Sequence, residues 1–206
     1  MTPLPQRPRL GFLASHNGTN MRAIVVACRQ GWLAAEPALL ISNNRDCGAI
    51  NWADLQGIAW QHMSATKLGS DAALDEAMAR ELKAAQVDFV VLAGYMRKLG
   101  PKALAAYSKR ILNVHPALLP HFGGQGMYGK HVHEAVLKSG DQISGVTIHI
   151  VDGEYDHGPI VAQSEVPVEA GDTPDTLAAR VQAAEQELYP RVLQSIVSGK
   201  IDLDKL

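Results

Sequence analysis

The chain has 206 residues, 47% of them apolar and 19% charged, a balance that suits one domain or two fused lobes around a buried core and excludes a disordered polymer. A formal net charge of −2 argues against a general nucleic-acid-binding surface, and two cysteines, Cys28 and Cys47, are too few for a disulfide framework or a zinc site. No run approaches the apolar length of a membrane span, and the proline-rich start, Met1 to Pro8, is no signal peptide but a loose lead-in, so a cytoplasmic location is expected.

Arg9 to Ala14 is short, apolar and ends in the polar loop Ser15-His16-Asn17-Gly18-Thr19-Asn20, which predicts a buried parallel strand. A helix is expected from about Thr19 to Gln30, with Met21, Ile24, Val25 and Cys28 on one face and Gly31 at its end. Pro37 to Ile41 reads as a second strand, Asp46 to Leu55 as a second helix and Gly57 to His62 as a brief third strand. Asp71 to Ala84 has helical spacing at Leu74, Ala77, Met78 and Leu82, and Val87 to Ala93 is the most pronounced strand. Strands alternating with helices imply right-handed crossovers and an α/β fold with a mostly parallel, Rossmann-like sheet flanked by helices.

Beyond Leu112 the pattern changes. Ile143 to Val151 alternates Val146, Ile148 and Ile150 against Thr147 and His149, and Pro159 to Val168 follows as a second strand. The two are expected to form an antiparallel pair joined by the loop that contains Asp156. The last helix has Thr173 as cap, Pro174 at its first position and a stripe of Leu177, Val181, Ala184, Leu188, Val192 and Ile196. Pro190 inside it is expected to kink it or start a second segment. Residues 1–206 thus read as a single domain, with a Rossmann-like half at about 9–112 and a second half at about 113–206.

Three stretches carry chemistry. Asn113-Val114-His115-Pro116 and Asp156-His157-Gly158-Pro159 supply an amide, an imidazole and a carboxylate, each beside a rigidifying Pro or Gly. An amide can donate to a developing oxyanion, an imidazole can move a proton near neutral pH, and a carboxylate can orient that imidazole. Taken singly, each residue also suits a turn or a core position. Gly18-Thr19-Asn20 stands where a strand hands over to a helix, a place where helix amides can hold an anion. It is neither a Walker loop nor Gly-x-Gly-x-x-Gly, so no nucleotide cofactor is indicated. Gly123 to Lys130 holds four glycines in eight residues and reads as a loop over the site or an irregular connection. None of the eight histidines falls in a His-Glu-x-x-His pattern, so no metal is expected, and His131 and His133 read as loop and helix-start residues rather than catalysts.

The ordered combination resembles the signature of the folate-dependent formyltransferases, Asn-x-His-Pro-(Ser/Ala)-Leu-Leu-Pro followed by Asp-x-Gly-Pro, above all in their glycinamide ribonucleotide branch. The resemblance runs from Arg9 to about Val197. It implies formyl transfer from 10-formyltetrahydrofolate, a cosubstrate, to the amine of glycinamide ribonucleotide in de novo purine biosynthesis, with no metal. By that resemblance Asn113 stabilises the oxyanion, His115 shuttles protons, and Asp156 holds His115 and an ordered water. Gly18, Thr19 and Asn20 would take the substrate phosphate, and Glu185, in a segment that mirrors the family's, the ribose. Met96, Arg97, Lys98 and Leu99, with Asn113 and the loop Asp152-Gly153-Glu154-Tyr155, would line the folate pocket. The family's basic residue for the folate glutamate tail is replaced here by Lys67-Leu68-Gly69-Ser70-Asp71, where Lys67 is the nearest substitute.

The implied partners are therefore small molecules, with neither nucleic acid nor membrane, and a homodimer stays open. The main alternatives are 10-formyltetrahydrofolate hydrolase, which shares the three residues, and another folate-dependent N-formyltransferase. The hydrolase normally carries a regulatory domain ahead of the first strand, where this sequence has eight residues, so the transferase is the expectation. A non-enzymatic folate- or nucleotide-binding module would not need Asn113, His115 and Asp156 together.

Overall fold

A computed structural model describes residues 7–206; most of the expected proline-rich lead-in lies outside the described residues. Strand β1 (Arg9–Ala14) is buried along almost its whole length, because it lies mid-sheet between two parallel neighbours, β2 (Glu36–Ser42) and β4 (Phe89–Leu92). Outside β2 lies β3 (Trp60–His62), and outside β4 lies β5 (Ile111–His115), both also parallel. The sheet then reverses: β6 (Ile143–Ile150) runs antiparallel to β5, and β7 (Ile160–Pro167) antiparallel to β6. The order is β3-β2-β1-β4-β5-β6-β7, seven strands in one mixed sheet.

Helices cover both faces, as a parallel sheet requires. In chain order they are α1 (Thr19–Arg29), α2 (Gly48–Leu55), α3 (Ala65–Leu68), α4 (Asp71–Ala84), α5 (Pro101–Ala106), α6 (Lys130–Ser139) and α7 (Pro174–Val197). Alternation along β1 divides the core. Leu10 and Phe12 pack with Met21 and Ile24 of α1 and with Tyr189, Leu193 and Ile196 of α7. Leu13 packs on the opposite face with Leu74, Met78 and Leu82 of α4. Gly11 belongs to that second face for a steric reason: a Cβ there would stand 2.8 Å from the Leu82 side chain, so α4 sits as close as a bare backbone permits. The first core joins α1 to α7 and so runs across both expected halves of the chain.

The expected antiparallel pair forms, with the Asp156 loop between its strands. The β3 pairing is shorter than Gly57 to His62, because only Trp60, Gln61 and His62 find partners on β2. The short elements α3, α5 and β5 carry no sequence pattern long enough to announce them.

Pro190 does not divide the last helix. α7 is one element of 24 residues with Pro190 buried inside it. The missing N–H and the ring clash cost ~3 kcal/mol in an isolated helix, but here the segment is locked into the core. Tyr189 is fully buried and its hydroxyl donates to the Leu112 carbonyl at 2.8 Å, while Val192 and Leu193 pack behind it. The start matches expectation: Thr173 Oγ1 accepts from Thr176 N–H, Thr176 Oγ1 accepts from Thr173 N–H, and Pro174 fills the first turn.

Candidate active site

The carboxyl ends of β1, β4 and β5 open into a cavity of about 910 Å³, at the edge where α/β sheets collect ligands. β5 supplies Asn113 and His115, two residues apart and hence on one side of the strand. The register of β6 sets His149 opposite Asn113 and Thr147 opposite His115. Asn113 Nδ2 lies 3.0 Å from His149 Nε2, and His149 Nδ1 lies 3.1 Å from the Ile150 carbonyl. Both contacts are satisfied when Nδ1 carries the proton and Nε2 accepts from the amide. That uses one of the two amide N–H bonds of Asn113 and fixes where the other can point.

His115 is 3% exposed and engaged on both ring nitrogens. Nε2 lies 2.7 Å from the Phe122 carbonyl, and Nδ1 lies 3.4 Å from Asp156 Oδ2. Both partners accept hydrogen bonds, so both contacts are complete only when each nitrogen carries a proton. The same Asp156 oxygen accepts the Gly124 N–H at 3.0 Å, and its other oxygen lies 3.6 Å from His149 Nε2. Burial alone would raise the Asp156 pKa; the contacts with His115 and the Gly124 N–H outweigh it, holding the carboxyl well below the usual carboxylate range.

Two strained residues present these partners. Phe122 and Asp156 are non-glycine residues with φ of 56° and 54°, a conformation that costs roughly 1–3 kcal/mol each and persists where surrounding structure enforces it. The enforcement is visible at Gly158, where a Cβ would fall 1.9 Å from the Ile150 carbonyl oxygen, so the Asp156 loop closes against bare backbone.

Gly18, Thr19 and Asn20 also line the cavity. Gly18 has φ 59° and caps α1, whose first-turn N–H groups lack intrahelical partners and carry the positive end of the helix dipole. The Asn20 side chain turns inward: it is 5% exposed and its Nδ2 donates to Glu185 Oε2 at 2.8 Å. What the loop offers an anion is therefore backbone N–H and the Thr19 hydroxyl, which already accepts from Gln182 at 3.3 Å. Glu185 faces the cavity but is surrounded by protein; burial lifts its pKa to about 7 against the lowering effect of the Asn20 amide.

Met96 and Arg97 line this cavity and also an adjoining one of about 420 Å³, which Lys98 and Leu99 line with them. Met96 N–H donates to Ser15 Oγ at 2.8 Å, tying the strand-end loops together. Asp152, Gly153 and Glu154 line neither cavity. Asp152 instead accepts from His157 Nδ1 at 2.9 Å and from Glu154 N–H at 3.0 Å, which shapes the loop from within. Tyr155 is the loop residue that lines both cavities, with Lys98 Nζ 5.6 Å from its ring centre. Lys67 lines neither and donates to the His62 carbonyl.

The sequence places Tyr155 in the loop expected at the folate and Gln182 in the Glu185 segment without a role of its own, and it gives His149 no part in the site. His149 was legible only from the register opposite Asn113, and Gln182 from its place one helical turn before Glu185 on α7. Among the described residues no group of three or more His, Cys, Asp or Glu is placed to hold a metal ion, and no helix is long and apolar enough to cross a membrane.

The model of the formyl transferase family matches residues 8–193. The chain is 43% identical to the chloroplastic phosphoribosylglycinamide formyltransferase of Arabidopsis thaliana, over 96% of this chain and 68% of that protein. It is 37% identical to the Escherichia coli K12 phosphoribosylglycinamide formyltransferase, over 93% of this chain and 88% of that one. The crystal structure of glycinamide ribonucleotide transformylase 1 from Symbiobacterium toebii superposes with a TM-score of 0.90 at 37% identity, covering 96% of this chain and 91% of that one. With the family model matching most of its length and relatives of this similarity, the chain belongs to the formyl transferase family, in its phosphoribosylglycinamide formyltransferase branch.

Proposed function

We propose that the larger cavity holds glycinamide ribonucleotide beside 10-formyltetrahydrofolate and transfers the formyl group from the folate to the ribonucleotide amine. The carrying observation is the meeting of Asn113, His115 and Asp156 in the lining of one cavity that Gly18, Thr19 and Glu185 also line. The α1 amides and the Thr19 hydroxyl take the phosphate, Glu185 the ribose, and Met96, Arg97, Lys98, Leu99 and Tyr155 the folate side. This brings the amine to the formyl carbon beside Asn113.

Amine attack moves the carbonyl electrons onto oxygen, and the second amide N–H of Asn113 donates to that oxyanion, an interaction on the order of 3–4 kcal/mol. The former amine must lose a proton and the departing folate nitrogen must gain one. His115 performs that exchange, and the Asp156 carboxylate stabilises its imidazolium. The Phe122 carbonyl lies on the His115 nitrogen away from Asp156, so a substrate reaches that nitrogen only when this carbonyl moves off it. Proximity supplies the rest, since two bound reactants react as one species.

The test is product identification. Protein, formyl folate and glycinamide ribonucleotide are incubated together and the ribonucleotide is weighed by mass spectrometry. Gain of one formyl group on its amine is expected. Recovery of unmodified ribonucleotide alongside free formate would assign water as the acceptor and overturn the proposal.

A further inference from the structure

His133 takes no part in the steps above, yet it belongs to the same site. It lies on α6, is 4% exposed, and lines the larger cavity. Its Nδ1 is closed off from solvent and has no hydrogen-bond partner among the described residues. A sealed polar atom without a partner destabilises a fold, and an apolar ring of similar size would not. Native proteins tolerate such groups chiefly where a site uses them.

The placement says which ligand would use it. α6 packs against α7, the helix that carries Gln182 and Glu185, and both His133 and Glu185 lie close enough to His115 to feel its charge. His133 therefore faces the ribonucleotide side of the cavity and not the wall of Lys98 and Leu99. A proton on the sealed Nδ1 would have no acceptor, so the favoured tautomer carries it on Nε2, the nitrogen left to face the cavity. Burial first, and then His115, hold the His133 pKa below its ordinary value, so the ring stays neutral in the neutral range. A neutral donor suits this spot, because a second cation would work against protonation of His115.

We propose that His133 is a binding residue for the ribonucleotide substrate, donating from Nε2–H to one of its oxygens. This rests on the ribonucleotide reading of the cavity. The test compares wild type with His133→Phe, which keeps the ring and loses both nitrogens, and His133→Gln, which restores an amide donor. For His133→Phe a melting temperature at or above wild type is expected, with KM for glycinamide ribonucleotide raised roughly tenfold and KM for the folate within about twofold, the scale of one lost hydrogen bond. His133→Gln recovers part of the ribonucleotide KM. An unchanged ribonucleotide KM in a folded His133→Phe would overturn the proposal. So would a rise in both KM values together with a lowered melting temperature, the mark of a purely structural residue. Wild-type protein inert toward glycinamide ribonucleotide would remove the underlying reading, and this contact with it.

Discussion

Replacing Asp156 by Asn removes a charge while keeping shape, one acceptor oxygen and the room closed off by Gly158. The carboxylate is 3.4 Å from His115 Nδ1 and its side chain is only 11% exposed. At an effective dielectric of about 20, an ion pair at that distance is worth on the order of 4–5 kcal/mol, part of it offset by the desolvation that Asn avoids. If about 3–4 kcal/mol of that acts on the imidazolium of the transition state, turnover falls on the order of 10²- to 10³-fold. The Gly124 N–H keeps an acceptor, so the fold should survive. Stability should also change in a definite direction. A carboxyl whose folded pKa is depressed contributes stability that is complete above the unfolded pKa and is lost as pH falls through the folded one. The wild type should therefore lose stability on acidification below the usual carboxylate range, and Asp156→Asn should lack that component. Steady-state kinetics and thermal melts on the same preparations decide the matter. A folded Asp156→Asn variant with near-normal kcat would refute the assigned role.

His115→Ala should lose roughly 10²- to 10⁴-fold in kcat, and Asn113→Ala on the order of 10²- to 10³-fold; near-normal rates in either folded variant would count against proton exchange or oxyanion stabilisation respectively. Glu185, with its pKa raised to about 7, contributes stability that is full below its ordinary pKa and is lost as pH rises through about 7. Wild type should thus lose on the order of 2 kcal/mol, roughly 4–8 °C in melting temperature, between about pH 5 and pH 8, a loss largely absent in Glu185→Gln; parallel pH profiles would contradict this. Tyr189→Phe strips the hydroxyl from the Leu112 carbonyl and should cost about 1–3 kcal/mol of stability with kcat unaltered; a melt equal to wild type would mean that carbonyl finds another donor.

The parallel half of the fold was legible because its strands are apolar runs and its helices long enough to show a period. β1 and α4 have the expected bounds. β5 was hidden by its own composition. Ile111-Leu112-Asn113-Val114-His115 interrupts an apolar run with two polar residues that line the cavity, and its place between β4 and β6 depends on pairing, which no local pattern carries. The same cause hid His149. It falls on the side of β6 that alternation assigns to polar residues, yet it is 2% exposed, with the Asn113 side chain and Asp156 against its ring. Pro190 starts no second segment, since its intrinsic cost is offset by the burial of Tyr189, Val192 and Leu193 around it. The residues of the formyltransferase resemblance were readable as a motif with implied roles, but the contacts each of them makes were not. That Asn20 spends its amide on Glu185, and that Phe122 covers His115, are facts of packing.

The central claim is that the acceptor of the formyl group is an amine held by the Gly18–Asn20 and Glu185 wall, and not water. Deformylation of 10-formyltetrahydrofolate by the wild-type protein, followed with and without glycinamide ribonucleotide, tests it most directly. Rapid deformylation that depends on the ribonucleotide and saturates with it is expected. Equal rates in its presence and absence would contradict the account and assign the site to hydrolysis.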